Sequence, residues 1–272
     1  MIAFPNAKIN IGLYITGKRK DGFHNIETIF YPIPSLCDIL EVIPSKHLNK
    51  AIKFSQSGLS VDGNFDDNLC VKAYHLLNQH TPLPKVEVHL HKQIPMGAGL
   101  GGGSADGSFA LKMYNDMASN PLPAIELERI ALELGSDCPF FLKNKPYLGK
   151  GRGEVLEPIN INLSGYLMLV NPGVHVNTGL AYKECKPKPA HFNLNDIGNF
   201  PVTHWRENIS NDFENIVFPV YPVVEQIKNK LYELGAVYAS MSGSGSTVFA
   251  FFANEPSIPN EFVSYYKSIH EI

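Results

Sequence analysis

The stretch Pro95-Met96-Gly97-Ala98-Gly99-Leu100-Gly101-Gly102-Gly103-Ser104 decides how the rest of the chain is read. Five glycines fall within the seven residues 97–103, so backbone N–H groups can converge with no Cβ in the way. The residues after them predict a helix starting at Ser104. Convergent amides and the positive end of a helix both favour an anion, and the Ser104 hydroxyl is available to a phosphate oxygen or a magnesium-bound water. Residues 97, 99 and 102 satisfy Gly-x-Gly-x-x-Gly, but a dinucleotide-binding unit needs a second strand ending in an acid ~20 residues on. Here the chain stays helical and breaks at Pro121. A Gly-Lys-Ser/Thr loop is excluded too, because Gly103-Ser104-Ala105 contains no lysine. What remains is a phosphate cradle; a merely flexible loop does not explain Pro95 before the run and a helix after it.

Outward from the loop, Val86 to His91 alternates apolar and polar residues as a strand leading in. Beyond it, Phe109, Met113 and Met117 form a helical stripe with Ala110 and Tyr114 beside them. Leu127, Ile130, Ala131 and Leu134 mark a second helix, with Gly135 where a left-handed C-terminal residue belongs. Near the N-terminus Ile9, Ile11, Leu13 and Ile15 line one side of a half-buried strand, residues 9–16. A turn at Lys18 to Gly22, strands at 26–33 and 39–43, and a helix capped by Asp66-Asp67-Asn68 follow. Lys150 to Glu154 reads as a turn and residues 166–170 as a strand. A helix over 223–234 closes at Gly235, and strands at 237–241 and 247–252 flank a second glycine-rich turn, Ser242-Gly243-Ser244-Gly245-Ser246. The class is α+β, with a boundary near Pro158 separating domains 1–158 and 159–272.

The 272 residues suffice for two modest domains, and 44% hydrophobic with 18% charged residues is ordinary for a globular protein. No apolar run approaches the ~20 residues that cross a bilayer, so no membrane partner is expected. A net charge of −3 gives no general attraction to nucleic acid. The N-terminus shows no export signal, and Cys37, Cys70, Cys138 and Cys185 are too dispersed for a zinc site or a disulfide framework. They read as reduced thiols of a cytoplasmic protein. His89-x-His91 lacks a third ligand nearby and reads as one face of a partly exposed strand, so no protein-held metal is assigned. Asp137, ahead of Cys138-Pro139, fits a helix N-cap, and Lys8 taken alone fits a solvated strand end.

The ensemble says more. Pro5-Asn6-Ala7-Lys8-Ile9-Asn10, Asp21-Gly22-Phe23-His24, Pro95 to Ser104, Gly135-Ser136-Asp137-Cys138-Pro139-Phe140-Phe141 and Ser242-Gly243-Ser244-Gly245 together resemble the GHMP kinases, in order and over nearly the whole chain. Lys8-Ile9-Asn10 followed by Asp21 to His24 resembles the branch acting on a cytidine diphosphate-linked methylerythritol in the non-mevalonate isoprenoid pathway. The resemblance implies a two-domain GHMP kinase fold, with a ribosomal-protein-like N-terminal domain and a ferredoxin-like C-terminal domain. It implies ATP with Mg2+ as the phosphate source, held by Pro95, Met96, Gly97, Ala98, Gly99, Leu100, Gly101, Gly102, Gly103, Ser104 and Ala105, with Asn68 at the adenosine or capping its helix. It makes Lys8 and Asp137 the catalytic pair, Asp137 accepting the proton of the attacking hydroxyl. Asn10, Phe23, His24, Thr178 and Tyr182 are implied as substrate-binding residues.

The chain departs from the family pattern at four of these points. Phe23 stands for the usual tyrosine and Tyr182 for a frequent phenylalanine, which preserves two stacking faces and takes the hydroxyl away from position 23. In the loop, Ala105 replaces a serine, and Gly107 replaces alanine at a cost of roughly 1 kcal/mol of helix stability. A GHMP kinase for homoserine, mevalonate or a sugar would leave the Asp21 to His24 turn and Tyr182 without a partner.

Overall fold

The computed structural model describes residues 1–60 and 63–272. The strands among them are β1 (Ile2–Ala3), β2 (Asn6–Lys18), β3 (His24–Cys37), β4 (Ile39–Pro44), β5 (Ile52–Gly58), β6 (Val86–Lys92), β7 (Tyr147–Lys150), β8 (Val155–Pro158), β9 (Tyr166–Asn171), β10 (Tyr238–Met241), β11 (Val248–Phe252) and β12 (Tyr266–Glu271). The helices are α1 (Leu69–Leu77), α2 (Gly102–Met117), α3 (Ala124–Leu134), α4 (Cys138–Lys143), α5 (Thr178–Glu184), α6 (Trp205–Asn208), α7 (Glu214–Val220) and α8 (Pro222–Glu233). None is long and apolar enough to cross a membrane.

Two compact units divide the chain, each discontinuous in sequence. The first comprises Met1–Ala7, Pro32–Met96 and Gly101–Lys145. Its sheet has the order β1-β4-β6-β5, with β6 antiparallel to β4 and parallel to β5. The period-2 pattern of β6 sends Val86, Val88 and Leu90 inward beside Leu40 and Val42. Opposite them pack Ala73, Tyr74 and Leu77 of α1, Ala110, Leu111 and Tyr114 of α2, and Ile130 and Ala131 of α3. Each large apolar side chain so buried contributes roughly 1.5–3 kcal/mol.

The second unit comprises Lys8–Tyr31, Gly97–Leu100 and Pro146–Ile272. It holds the antiparallel sheet β10-β11-β9-β12, whose Met168, Val170, Ala239, Met241, Val248 and Ala250 form a core with Val224, Ile227 and Leu231 of α8. Those three helical residues follow the spacing that puts one stripe of α8 against the sheet. A further sheet runs β2-β3-β7-β8. A single cut at Pro158 therefore does not describe the compact units, because β2 and β3 run from one into the other and β7 and β8 belong with their second-unit portions.

Three local expectations change. Strand β2 is buried from Asn6 to Ile15 on both faces, so the half-buried reading from its isoleucines fails, and Lys8 and Asn10 on the opposite face are each only 3% exposed. Helix α2 begins at Gly102, two residues before Ser104, with Gly101 at its N-cap. Gly135 has φ 173°, an extended conformation open to any residue, so the left-handed reading fails; a Cβ there would fit closely, 3.3 Å from Cys138 Sγ.

Candidate active site

The glycine loop is a run of left-handed residues: Gly97, Gly99 and Gly101 have φ 62°, 79° and 72°. Pro95 and Met96 belong to the first unit, Gly97 to Leu100 to the second, and Gly101 to Ala105 to the first again. At Gly99 a Cβ would lie 2.0 Å from the carbonyl oxygen of Ser242, so the second glycine-rich turn presses directly on the first. Ala98 accepts a hydrogen bond from Thr247 N at 3.2 Å. No side chain caps α2, which leaves its first-turn amides to other acceptors.

Lys8 donates to Asn10 Oδ1 and, at 3.2 Å, to the carbonyl oxygen of Gly99, tying the strand lysine to the glycine loop within the second unit. Its backbone N–H donates to Leu100 O at 2.9 Å. The Lys8 ammonium also lies 5.6 Å from the Phe30 ring centroid, a cation–π contact in a dry setting. Ser242 Oγ donates to Gly99 O at 2.7 Å and accepts from Asn10 N at 3.1 Å. The solvated-strand-end reading of Lys8 therefore does not hold: its charge is buried and solvated by protein oxygens.

Asp137 occupies the N-cap position of α4, yet its side chain makes no capping hydrogen bond and its backbone is already helical at φ −84°, ψ −13°. Capping thus does not account for an aspartate there. Helix α4 is fixed to the first turns of α2 by Ser108 Oγ, which lies 2.6 Å from Ser104 O and 2.9 Å from Cys138 O. At Gly135 a Cβ would stand 3.9 Å from Ser104 Oγ, so the Gly135 to Cys138 segment runs beside the loop serine.

A cavity of about 150 Å³ opens in the first unit, lined among others by Phe65, Asn68, Leu69, Met96 and Gly103. It brings together three residues expected at ATP: Asn68, Met96 and Gly103. Asn68 also caps α1, its Oδ1 accepting from Cys70 N at 2.9 Å, as its capping reading requires. Lys92 and Asp106 line the same cavity and were not expected there. Lys92 Nζ bonds Asp38 Oδ2 and, at 2.7 Å, Asp106 Oδ2, and all three side chains are all but fully buried. Burial pushes the Asp106 carboxyl well above the usual carboxylate range despite Lys92, while the two carboxylates outweigh burial at Lys92 and raise its pKa. A signal was available: Lys92 continues the inward register of Val86, Val88 and Leu90.

The residues expected at a cytosine lie in the second unit. His24 stacks on Tyr182 with centroids 5.2 Å apart and planes 20° off parallel, and Tyr182 also meets Phe213 edge-on. The Arg152 guanidinium covers the Phe23 ring at 3.8 Å. Burial, then Lys18, lowers the His24 pKa, so its imidazole is neutral at pH 7 with one donor and one acceptor. Thr178 opens α5 with its Oγ1 2.7 Å from Ser244 Oγ in the second glycine-rich turn. His89 and His91 instead bond the hydroxyls of Ser55 and Ser57 on the open face of β5 and β6.

Comparison with known proteins gives two family matches: GHMP kinases N terminal domain over residues 68–145 and GHMP kinases C terminal over residues 203–266. The 4-diphosphocytidyl-2-C-methyl-D-erythritol kinase of Bacteroides fragilis is 50% identical over 259 residues, covering 95% of this chain and 94% of that protein. The chain belongs to this GHMP kinase family. The kinase of the same name from Cytophaga hutchinsonii is 46% identical over 270 residues, covering 98% of both. A crystal structure of 4-(cytidine 5'-diphospho)-2C-methyl-D-erythritol kinase superposes with a TM-score of 0.80 at 29% identity, covering 93% of this chain and 91% of the other. Membership makes the chain an ATP-dependent kinase and fixes the two-domain GHMP fold expected from the motifs.

Proposed function

We propose that the chain transfers the γ-phosphoryl group of ATP to the 2-hydroxyl of 4-diphosphocytidyl-2-C-methyl-D-erythritol, a step in non-mevalonate isoprenoid precursor biosynthesis. One observation carries this reading: half the residues are identical, over 95% of the chain, to a kinase of that name. Phosphoryl transfer leaves a protein chiefly positioning and charge stabilisation to do, and the residues suit both tasks. Amides of the 95–105 loop and of the start of α2 hold the phosphates, with the adenosine in the cavity at Asn68 and Met96. Mg2+ bound with the triphosphate would offset its charge, and the Ser104 hydroxyl would bond a phosphate oxygen or one of the ion's waters. Asp137 takes the proton of the attacking hydroxyl, and Lys8 supplies positive charge to the reacting groups. Asn10 orients the methylerythritol hydroxyls. Phe23 and Tyr182 offer stacking faces to the cytosine, neutral His24 meets its polar edge, and Thr178 completes this end. Phe23 lacks the hydroxyl usual at that position, so stacking carries the contact there. Reduced thiols and a reaction fed by ATP fit a cytoplasmic setting.

Calorimetric titration with CDP tests the cytidine end. Binding in the micromolar to millimolar range that weakens about tenfold or more in Tyr182→Ala is expected, from the ~1–3 kcal/mol of base–aromatic stacking. No heat with CDP would rule out the cytidine reading.

A further inference from the structure

We infer that Thr28 is a positioning residue that sets the orientation of the Asn10 amide and, through it, the placement of the Lys8 ammonium. The inference rests on the reading above, in which Lys8 and Asn10 serve the reaction. Thr28 lies in β3, fully buried. Its Oγ1 lies 2.5 Å from the carbonyl oxygen of Gly12. A carbonyl only accepts, so the single hydroxyl proton of Thr28 is committed to Gly12. The hydroxyl can then only accept from its other neighbour, Asn10 Nδ2 at 3.1 Å. That requirement places the amide nitrogen of Asn10 toward Thr28 and its oxygen toward Lys8, which donates to it.

An asparagine amide is nearly symmetric in shape, so a half-turn exchanging nitrogen and oxygen is opposed only by hydrogen-bond partners. The Asn10 backbone is held separately, its N–H donating to Ser242 Oγ at 3.1 Å, so the side-chain orientation rests on its two side-chain partners, Thr28 and Lys8. With the amide turned over, an NH2 group would face the Lys8 ammonium, donor against donor. Lys8 would keep the Gly99 carbonyl and lose the Asn10 oxygen. At a residue only 3% exposed, water does not replace that oxygen freely.

Thr28→Val preserves the shape and removes the hydroxyl, while Thr28→Ser restores it. The expected result is a fall in kcat of about ten- to hundredfold for Thr28→Val, the range for losing a hydrogen bond to a charged group, with the KM for ATP held within about twofold. Thr28→Ser should recover kcat to within about threefold of wild type. Equal losses in both variants, or an unchanged kcat in Thr28→Val, would overturn the assignment. NMR of the Lys8 ammonium protons supplies a readout that needs no turnover. Their exchange with water should be slow in wild type and Thr28→Ser and clearly faster in Thr28→Val; equal exchange rates overturn the inference. A wild-type chain inert toward the cytidyl substrate would defeat the proposed reaction while the exchange experiment still decides the role of Thr28. If Thr28→Val does not fold, Thr28→Ala carries the same expectations.

Discussion

Replacing Lys92 by methionine probes the buried Asp38–Lys92–Asp106 cluster, a strongly charged feature of the first unit's interior that the motifs did not announce. Lys92 and Asp38 are fully buried and Asp106 is 3% exposed at its side chain, so removing the cation leaves two carboxylates in a largely desolvated setting. Asp38 retains the amides of Gln93 at 2.6 Å and Ile94 at 2.9 Å, but Asp106 Oδ1 already has no hydrogen-bond partner and Oδ2 would lose its lysine. Removing one member of a buried ion pair costs about 3–5 kcal/mol. For a chain of this length that corresponds to a melting temperature lower by roughly 10 °C. The loss should depend on pH with a definite sign. Burial already raises the Asp106 pKa, and removing Lys92 raises it further. An acid with a raised folded-state pKa stabilises the fold below its unfolded value and loses that contribution as pH rises. Lys92→Met should therefore lose stability more steeply than wild type as pH rises above the ordinary carboxylate range, and Lys92→Met/Asp106→Asn should recover part of the deficit. Because a Cβ on Gly102 would lie 3.3 Å from Lys92 Nζ, the cluster also underlies the start of α2, and the KM for ATP should rise in the single variant. Calorimetry across pH measures the stability terms. A Lys92→Met protein melting within 2 °C of wild type at pH 8 would refute the reasoning.

Asp137→Asn should lower kcat by about 10²–10⁴-fold while ATP affinity, measured by titration, stays near wild type; a variant of wild-type rate would return Asp137 to a structural role. The thiols give a second pH-dependent expectation. Burial pushes Cys138 up to about 11 and Cys185 up to about 12, so at pH 8 roughly one thiol in a thousand and one in ten thousand, respectively, is ionised, against about one in four for an ordinary cysteine. Both raised values stabilise the fold below about pH 9 and lose that contribution as pH rises toward 11–12. Iodoacetamide should label these two slowly in the native protein and at ordinary rates after unfolding, and fast native labelling of Cys185 would contradict this.

Much of the fold was legible because its elements declare themselves locally. The inward register of β6 and the stripe of α8 follow directly from apolar spacing, and both form with bounds shifted by a residue. Helix α2 starts earlier than its sequence suggests because a left-handed Gly101 can occupy the N-cap without a capping side chain. Strands β5 and β12 were not anticipated: the first alternates polar residues with few apolar ones, and the second, Tyr266 to Glu271, gains its order by pairing with β9. Candidate site residues could be named from the sequence where a motif is contiguous, as in the glycine loop and the Asp21 to His24 turn. The site was not legible where function depends on hydrogen bonds between distant segments. Thr28 is an ordinary strand threonine until Asn10 and Gly12 are seen beside it, and Ser242 gains meaning only from its contact with Gly99. Lys8 looked like a solvated strand end because one face of β2 was apolar, and burial of the other face depends on packing that periodicity does not encode.

The central claim is that the glycine loop, Lys8 and Asp137 deliver a phosphoryl group to one particular hydroxyl. A coupled ATPase assay with 4-diphosphocytidyl-2-C-methyl-D-erythritol, mevalonate and homoserine as separate acceptors, with the position of the new phosphate read by NMR, tests it directly. ADP release should depend on the cytidyl substrate and place the phosphate on its 2-hydroxyl. Turnover with mevalonate or homoserine in preference, or a phosphate on another hydroxyl, would contradict the account.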